Sequence, residues 1–266
     1  MKGILFGGCS FTWGQGLYFY SDLPNLYNPK SIYIFEANKV TSAQIRFKNT
    51  LYYPRLVANH FNTFEVVKDS NGGSEDETFE FFKNIFENKK NIISFDKNDR
   101  YTYDDFDYMV IQLSAILRNK FTFNINGKSF STLFTAENDM ILQYMKINNY
   151  TFEECYKQFL NQQFERLKNE IIFYENKGIK IKIIAWFDDL LENIEKDNLL
   201  KEKLITFNYD NKNFKTVLEL GDSYSEMYII SDPHFKDKKF NDYHPSKLLH
   251  EIMADGIIKS IESDIV

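Results

Sequence analysis

Apolar positions fall in short runs closed by glycine or polar turns, alternating with longer stretches at helical spacing. Gly3-Ile4-Leu5-Phe6-Gly7 predicts a buried first strand that ends in a tight loop. A helix is expected from about Tyr53, with Pro54 in its first turn. Phe64-Glu65-Val66-Val67 predicts a second strand, and the turn signal Asp69-Ser70-Asn71-Gly72-Gly73-Ser74 leads into a helix near 75–89. Tyr108 to Leu113 is nearly all apolar and predicts a central strand. Asn126-Gly127 lies between β-prone residues and predicts a hairpin insertion. Phe159, Leu160, Phe164, Leu167, Ile171 and Ile172 share one side of a long amphipathic helix over about 152–177. Gly178 stops it, residues 179–186 form another buried strand, and a last helix covers about 245–261.

Strands separated by helices imply a parallel sheet covered on both faces. The expectation is one α/β domain over residues 1–266, a three-layer α/β/α sandwich with a mostly parallel five-stranded sheet and a hairpin insertion. Ligand sites in such sheets lie at the carboxyl ends of the strands. Segments 7–16, 70–76 and 112–118 follow strands and should converge there.

Composition narrows the function classes. The chain has 266 residues, 43% hydrophobic and 17% aromatic, enough for a sizeable core. A net charge of −6 disfavours nucleic acid or an anionic membrane as partner. Cys9 and Cys155 give no disulfide framework, so a reducing compartment is the simpler expectation. The apolar stretch after Met1-Lys2 is too short for a signal-peptide core, and no run reaches the roughly 18 apolar residues of a membrane span. A cytoplasmic protein is expected. No His/Cys/Asp cluster has metal-ligand spacing, and Gly14 and Gly16 form neither a dinucleotide nor a phosphate loop, so neither metal nor cofactor is expected. The aromatic stretch 17–33 reads as core or wall packing, with stacking faces for a sugar or acyl chain as the alternative.

Candidate chemistry centres on Ser10, which follows the first strand within Gly7-Gly8-Cys9-Ser10-Phe11-Thr12-Trp13-Gly14. A serine there can cap a helix, or it can expose its hydroxyl as a nucleophile if a base lies within reach. The chain has four histidines. His60 ends a surface helix, His250 falls in the apolar arc of the last helix, and His234 sits in a loop after Asp232-Pro233. His244, in Asn241-Asp242-Tyr243-His244-Pro245-Ser246, stands before the last helix with a carboxylate two residues away, as a general base requires.

Gly8-Cys9-Ser10-Phe11-Thr12-Trp13-Gly14 resembles the first block of SGNH/GDSL hydrolases, Gly-Asp-Ser-Leu-[Ser/Thr]-x-Gly, with Cys9 for Asp and Phe11 for Leu. Asn71-Gly72-Gly73-Ser74 resembles their second block, and Asp242-Tyr243-His244-Pro245-Ser246 their last. The resemblance spans nearly the whole chain in the family's order. It implies a flavodoxin-like SGNH fold, Ser10 as nucleophile, His244 as base and Asp242 as triad acid. It also implies an oxyanion hole from the N–H groups of Ser10 and Gly72 or Gly73. The third family block, Gly-x-Asn-Asp, is replaced by Gln112-Leu113-Ser114-Ala115-Ile116-Leu117-Arg118, leaving Ser114 and Arg118 as further oxyanion candidates. The position three before His244, where many members carry Asp, is Asn241, so a Ser-His dyad stays open. Gly221-Asp222-Ser223 matches the family letters but lacks the following Thr-x-Gly and reads as a turn or helix cap, with Ser223 a weaker nucleophile alternative. The implied activity is a serine esterase acting on a small-molecule or carbohydrate ester. The alternatives are an O-acyltransferase with the same triad and a non-catalytic binding or assembly protein on the same scaffold.

Overall fold

The computed structural model describes residues 1–9, 12, 14, 17–20, 42–68, 74–87, 101–235 and 244–265. In chain order the elements begin with β1 (Gly3–Gly7), α1 (Ser42–Lys48), α2 (Tyr53–His60), β2 (Glu65–Val67), α3 (Glu75–Phe86) and β3 (Phe106–Leu113). The insertion follows as β4 (Lys120–Ile125), β5 (Lys128–Leu133) and α4 (Asp139–Asn148). Then come α5 (Phe152–Glu175), β6 (Lys180–Ala185), α6 (Leu191–Lys196), α7 (Asn198–Lys201), β7 (Phe207–Tyr209), β8 (Lys212–Phe214), α8 (Val217–Ser223) and α9 (Lys247–Glu262).

The main sheet is parallel, in the order β2-β1-β3-β6. Leu5 pairs with Val66 on one side and Met109 on the other, and Met109 pairs onward with Ile181. Adjacent strand residues face opposite ways, and each face packs its own helices. Ile4, Phe6, Tyr108, Val110 and Ile184 meet α2 and α9 through Tyr53, Val57, Leu249, Met253 and Ile257. Leu5, Met109, Ile111, Ile181 and Ile183 meet α3 and α5 through Phe79, Phe82, Phe159, Leu167 and Ile171.

Among the described residues the main sheet has four strands, where five are expected. Beside β6 the chain touches at single parallel bridges, Leu204 to Ile183 and Thr216 to Ala185. Between those points it turns out into the β7–β8 hairpin, so no continuous fifth strand forms.

Local chemistry explains the element ends. Ser74 accepts the Glu77 N–H at 3.3 Å to cap α3, whose first turn carries Glu75, Asp76 and Glu77 against the helix dipole. Thr151 and Glu154 form a capping box on α5. Asn126 (φ 50°) and Gly127 (φ 78°) give the β4–β5 hairpin its left-handed turn, as the sequence predicts.

Candidate active site

The end of β1, the start of α3 and the end of β3 meet at the carboxyl edge of the sheet. At the end of β1, a Cβ on Gly7 would lie 2.3 Å from Thr78 and 2.5 Å from Phe82, so α3 sits directly on the strand. A Cβ on Gly8 would lie 2.1 Å from Thr12 Oγ1 and 2.9 Å from Gln112 Cβ. Only glycine lets the chain pass that close.

A buried chain of hydrogen bonds starts here. The Gln112 side-chain amide, at the end of β3, donates to Cys9 Sγ at 3.2 Å. The Thr12 hydroxyl donates to Gln112 Oε1 at 2.7 Å, and the Tyr53 hydroxyl donates to Thr12 Oγ1 at 2.9 Å. At the other end of the same residue, the Tyr53 N–H donates to His250 Nδ1 at 3.2 Å, with the rings stacked at a centroid distance of 5.7 Å. The chain thus runs from β1 and β3 through the start of α2 to α9.

His250 is wholly buried, and its acceptor role at Nδ1 puts the ring proton on Nε2. Nε2 finds no hydrogen-bond partner among the described residues. Burial, reinforced by the Lys48 and His244 charges, pushes its pKa down to about 3. It is therefore the packing residue that the apolar arc suggests.

His244 lies half-buried just ahead of α9. Its carbonyl accepts the Ile229 N–H at 3.0 Å, Pro245 bridges Tyr228, and the Ser246 N–H donates to Met227 O at 2.8 Å. Ser246 then caps α9 by accepting the Leu249 N–H at 3.3 Å. These bonds pin the backbone at His244 and immediately after it. Nearby, the Tyr20 hydroxyl donates to Asp232 and accepts the Lys247 N–H at 3.0 Å. Asp232 Oδ1 accepts the His234 N–H at 2.8 Å, and the His234 and Tyr20 rings lie 5.3 Å apart. Burial and the Asp232 bond push the Tyr20 phenol up.

Ser10, Gly72, Gly73 and Asp242 lie outside the described residues. Of the remaining site candidates, Ser114 donates its N–H to Glu75 Oε1 at 2.5 Å, and its hydroxyl also bonds that carboxylate. Asn119 donates to the other Glu75 oxygen. Burial pushes the Glu75 carboxyl up against these bonds. Glu75 thereby ties the first turn of α3 to the end of β3 and engages the donors that Ser114 could have offered. Arg118 is exposed on the short 3₁₀ turn Ile116–Arg118.

His60 is exposed and pairs through Nε2 with Glu262 at 2.9 Å. Ser223 is exposed at the end of α8, where Gly221 lies beneath Tyr228. A groove of about 630 Å³ runs between α3 and α5, and none of its lining residues belongs to the hydrogen-bond chain. No cluster of three or more metal-ligating side chains occurs among the described residues, and none of their helices is long and apolar enough to cross a membrane.

Thr12, Tyr53 and Gln112 carry no local sequence signal as a unit. Their bonds join positions 41 and 100 residues apart. The close glycine pair after β1 is the one hint that something packs tightly there.

In comparisons with known proteins, no family model, curated protein or solved structure matches the chain.

Proposed function

We propose that the chain is a serine esterase of the SGNH type, a flavodoxin-like three-layer α/β/α domain acting on a small acyl ester, with a carbohydrate ester as one candidate substrate. The observation that carries this reading is the buried chain Cys9–Gln112–Thr12–Tyr53–His250. It links the residues on both sides of Ser10 to α9, the helix that His244 precedes. The strand order β2-β1-β3-β6 agrees with the doubly wound order expected of such a domain.

In this mechanism Ser10 Oγ attacks the ester carbonyl while His244 takes its proton. The tetrahedral oxyanion is held by the N–H groups of Ser10 and Gly72 or Gly73, with Arg118 as a side-chain candidate. Collapse expels the alcohol, to which His244 returns the proton, and leaves an acyl-serine. Water, deprotonated by His244, then attacks the acyl-serine; the bond to Oγ breaks, the acid leaves and His244 returns the proton to Ser10, while a sugar hydroxyl in place of water would make the enzyme an O-acyltransferase. Asp242 orients the imidazole and stabilises its charged form.

The engagement of Ser114 by Glu75, with no Asn at the third family block, favours one second reading: a binding protein that keeps the scaffold without the chemistry. A fluorophosphonate probe with peptide mapping, alongside p-nitrophenyl acetate turnover, separates the two. The enzyme labels at Ser10, and Ser10→Ala and His244→Ala each reduce turnover on the order of 10⁴-fold or more. Unlabelled Ser10 together with turnover equal to the variants leaves the binding protein. Labelling at Ser223 instead would move the nucleophile.

A further inference from the structure

We infer that Gln112 is a positioning residue whose side-chain amide clamps the chain on both sides of position 10; this rests on the reading of Ser10 as nucleophile. A primary amide presents a donor and an acceptor at fixed separation. Gln112 uses both, the acceptor on Thr12 and the donor on Cys9. Its own backbone is held in β3 between β1 and β6, with Gln112 paired to Ile184. The clamp therefore springs from a strand position that β6 holds in register.

All three partners are buried: Gln112 is 1% exposed, Thr12 0% and Cys9 1%. Water does not compete for these bonds, and breaking one leaves a buried polar atom unpaired. Thr12 is held a second time by Tyr53, which His250 holds in turn from α9. Gln112 thus ends a path that fixes the loop after β1 relative to the base-bearing end of α9. A nucleophile displaced by about 1 Å can lose about 10²-fold in rate. A side chain acting only to fill the core would change stability and leave that rate alone.

The test uses the full chain with Gln112→Met, Thr12→Val and Thr12→Ser. The first two keep volume and remove bonds, and the third keeps the hydroxyl. Inactivation by a fluorophosphonate is resolved into its maximal rate and its half-saturating concentration. Cys9 alkylation by iodoacetamide is mapped separately from Cys155. Gln112→Met and Thr12→Val are expected to lower the maximal rate by about 10²-fold at nearly unchanged half-saturation, with Thr12→Ser within a few-fold of wild type. Gln112→Met is expected to speed Cys9 alkylation, an outcome independent of any chemistry at Ser10. If Gln112→Met does not fold, the Thr12 pair decides. Wild-type labelling with unchanged rates in the variants overturns the clamp and leaves the hydrolase reading standing. Equal losses in Thr12→Ser and Thr12→Val, or unchanged Cys9 alkylation, also overturn it. An unlabelled wild type removes the hydrolase reading, and this inference with it.

Discussion

At the scale of the residue, His250 makes the sharpest statement about pH. Its folded pKa of about 3 lies below the ordinary 6.5. Between those values the unfolded chain binds a proton that the folded chain refuses, so stability rises with pH through the window and is complete above it. Stability is lost as pH falls from about 6.5 toward 3. At pH 4.5 the loss should be about 2–3 kcal/mol, taking 1.36 kcal/mol for each pH step. Urea unfolding of wild type and His250→Gln at pH 7.5 and 4.5 measures this. The variant should lose less on acidification, and parallel losses would show that the ring does not stay neutral. Glu75, whose carboxyl is pushed the other way, is common to both proteins and cancels. Glu75 has its own test. Glu75→Ala strips the acceptor from the Ser114 N–H and from Asn119, and should cost about 2–4 kcal/mol by the same measurement. Legibility in the sequence was uneven here. The packing role of His250 followed from its place in the apolar arc of α9. Glu75 carried no such sign, because a carboxylate at a helix start normally reads as a solvated, dipole-facing residue.

At the scale of the element, two hairpins show when turn chemistry can be read. Asn126-Gly127 is flanked by six-residue strands whose inward positions, Phe121, Phe123 and Ile125, alternate with exposed ones. Asn-Gly between β-prone residues announced the hairpin. Asp210 (φ 50°) and Asn211 (φ 59°) form an equally left-handed turn, but β7 and β8 have three residues each, too few for a period to emerge. The two turns also differ in what a substitution measures. A Cβ on Gly127 meets nothing within 4 Å, so Gly127→Ala isolates the backbone cost of a positive φ. It should destabilise by about 1–2 kcal/mol, and Asn211→Gly should be neutral or slightly stabilising. Thermal melts of the two variants check both signs. The parallel strands and the long helices were legible for a related reason: β3 and α5 are long enough for burial to write a pattern. The site was legible only where it is contiguous. The strings Gly7-Gly8-Cys9-Ser10 and Asp242-Tyr243-His244-Pro245 stand out, whereas the hydroxyl, phenol and amide of the buried hydrogen-bond chain are spread over positions 12, 53 and 112.

At the scale of the whole molecule, the sheet is a shared wall between two hydrophobic cores. Val110 faces the α2 and α9 side, and its neighbour Ile111 faces the α3 and α5 side. Both are fully buried on the same strand. Neither core can open without exposing one face of β3, so the two should melt together even though their helices do not share side-chain clusters. Val110→Ala and Ile111→Ala are each expected to cost about 1–4 kcal/mol and to shift one transition rather than split it. Far-UV circular dichroism reports the helices of both faces. Fluorescence of the buried Trp186 contributes a signal from the α9 side. Coincident curves in wild type and both variants mean that the position of α9, and with it the turn carrying His244, is coupled to the packing of α3 on the far face. Two separated transitions would mean that α9 can detach while β1 and α3 stay folded, and the geometry joining it to Thr12 through Tyr53 would then be a local property of α2 and α9 alone.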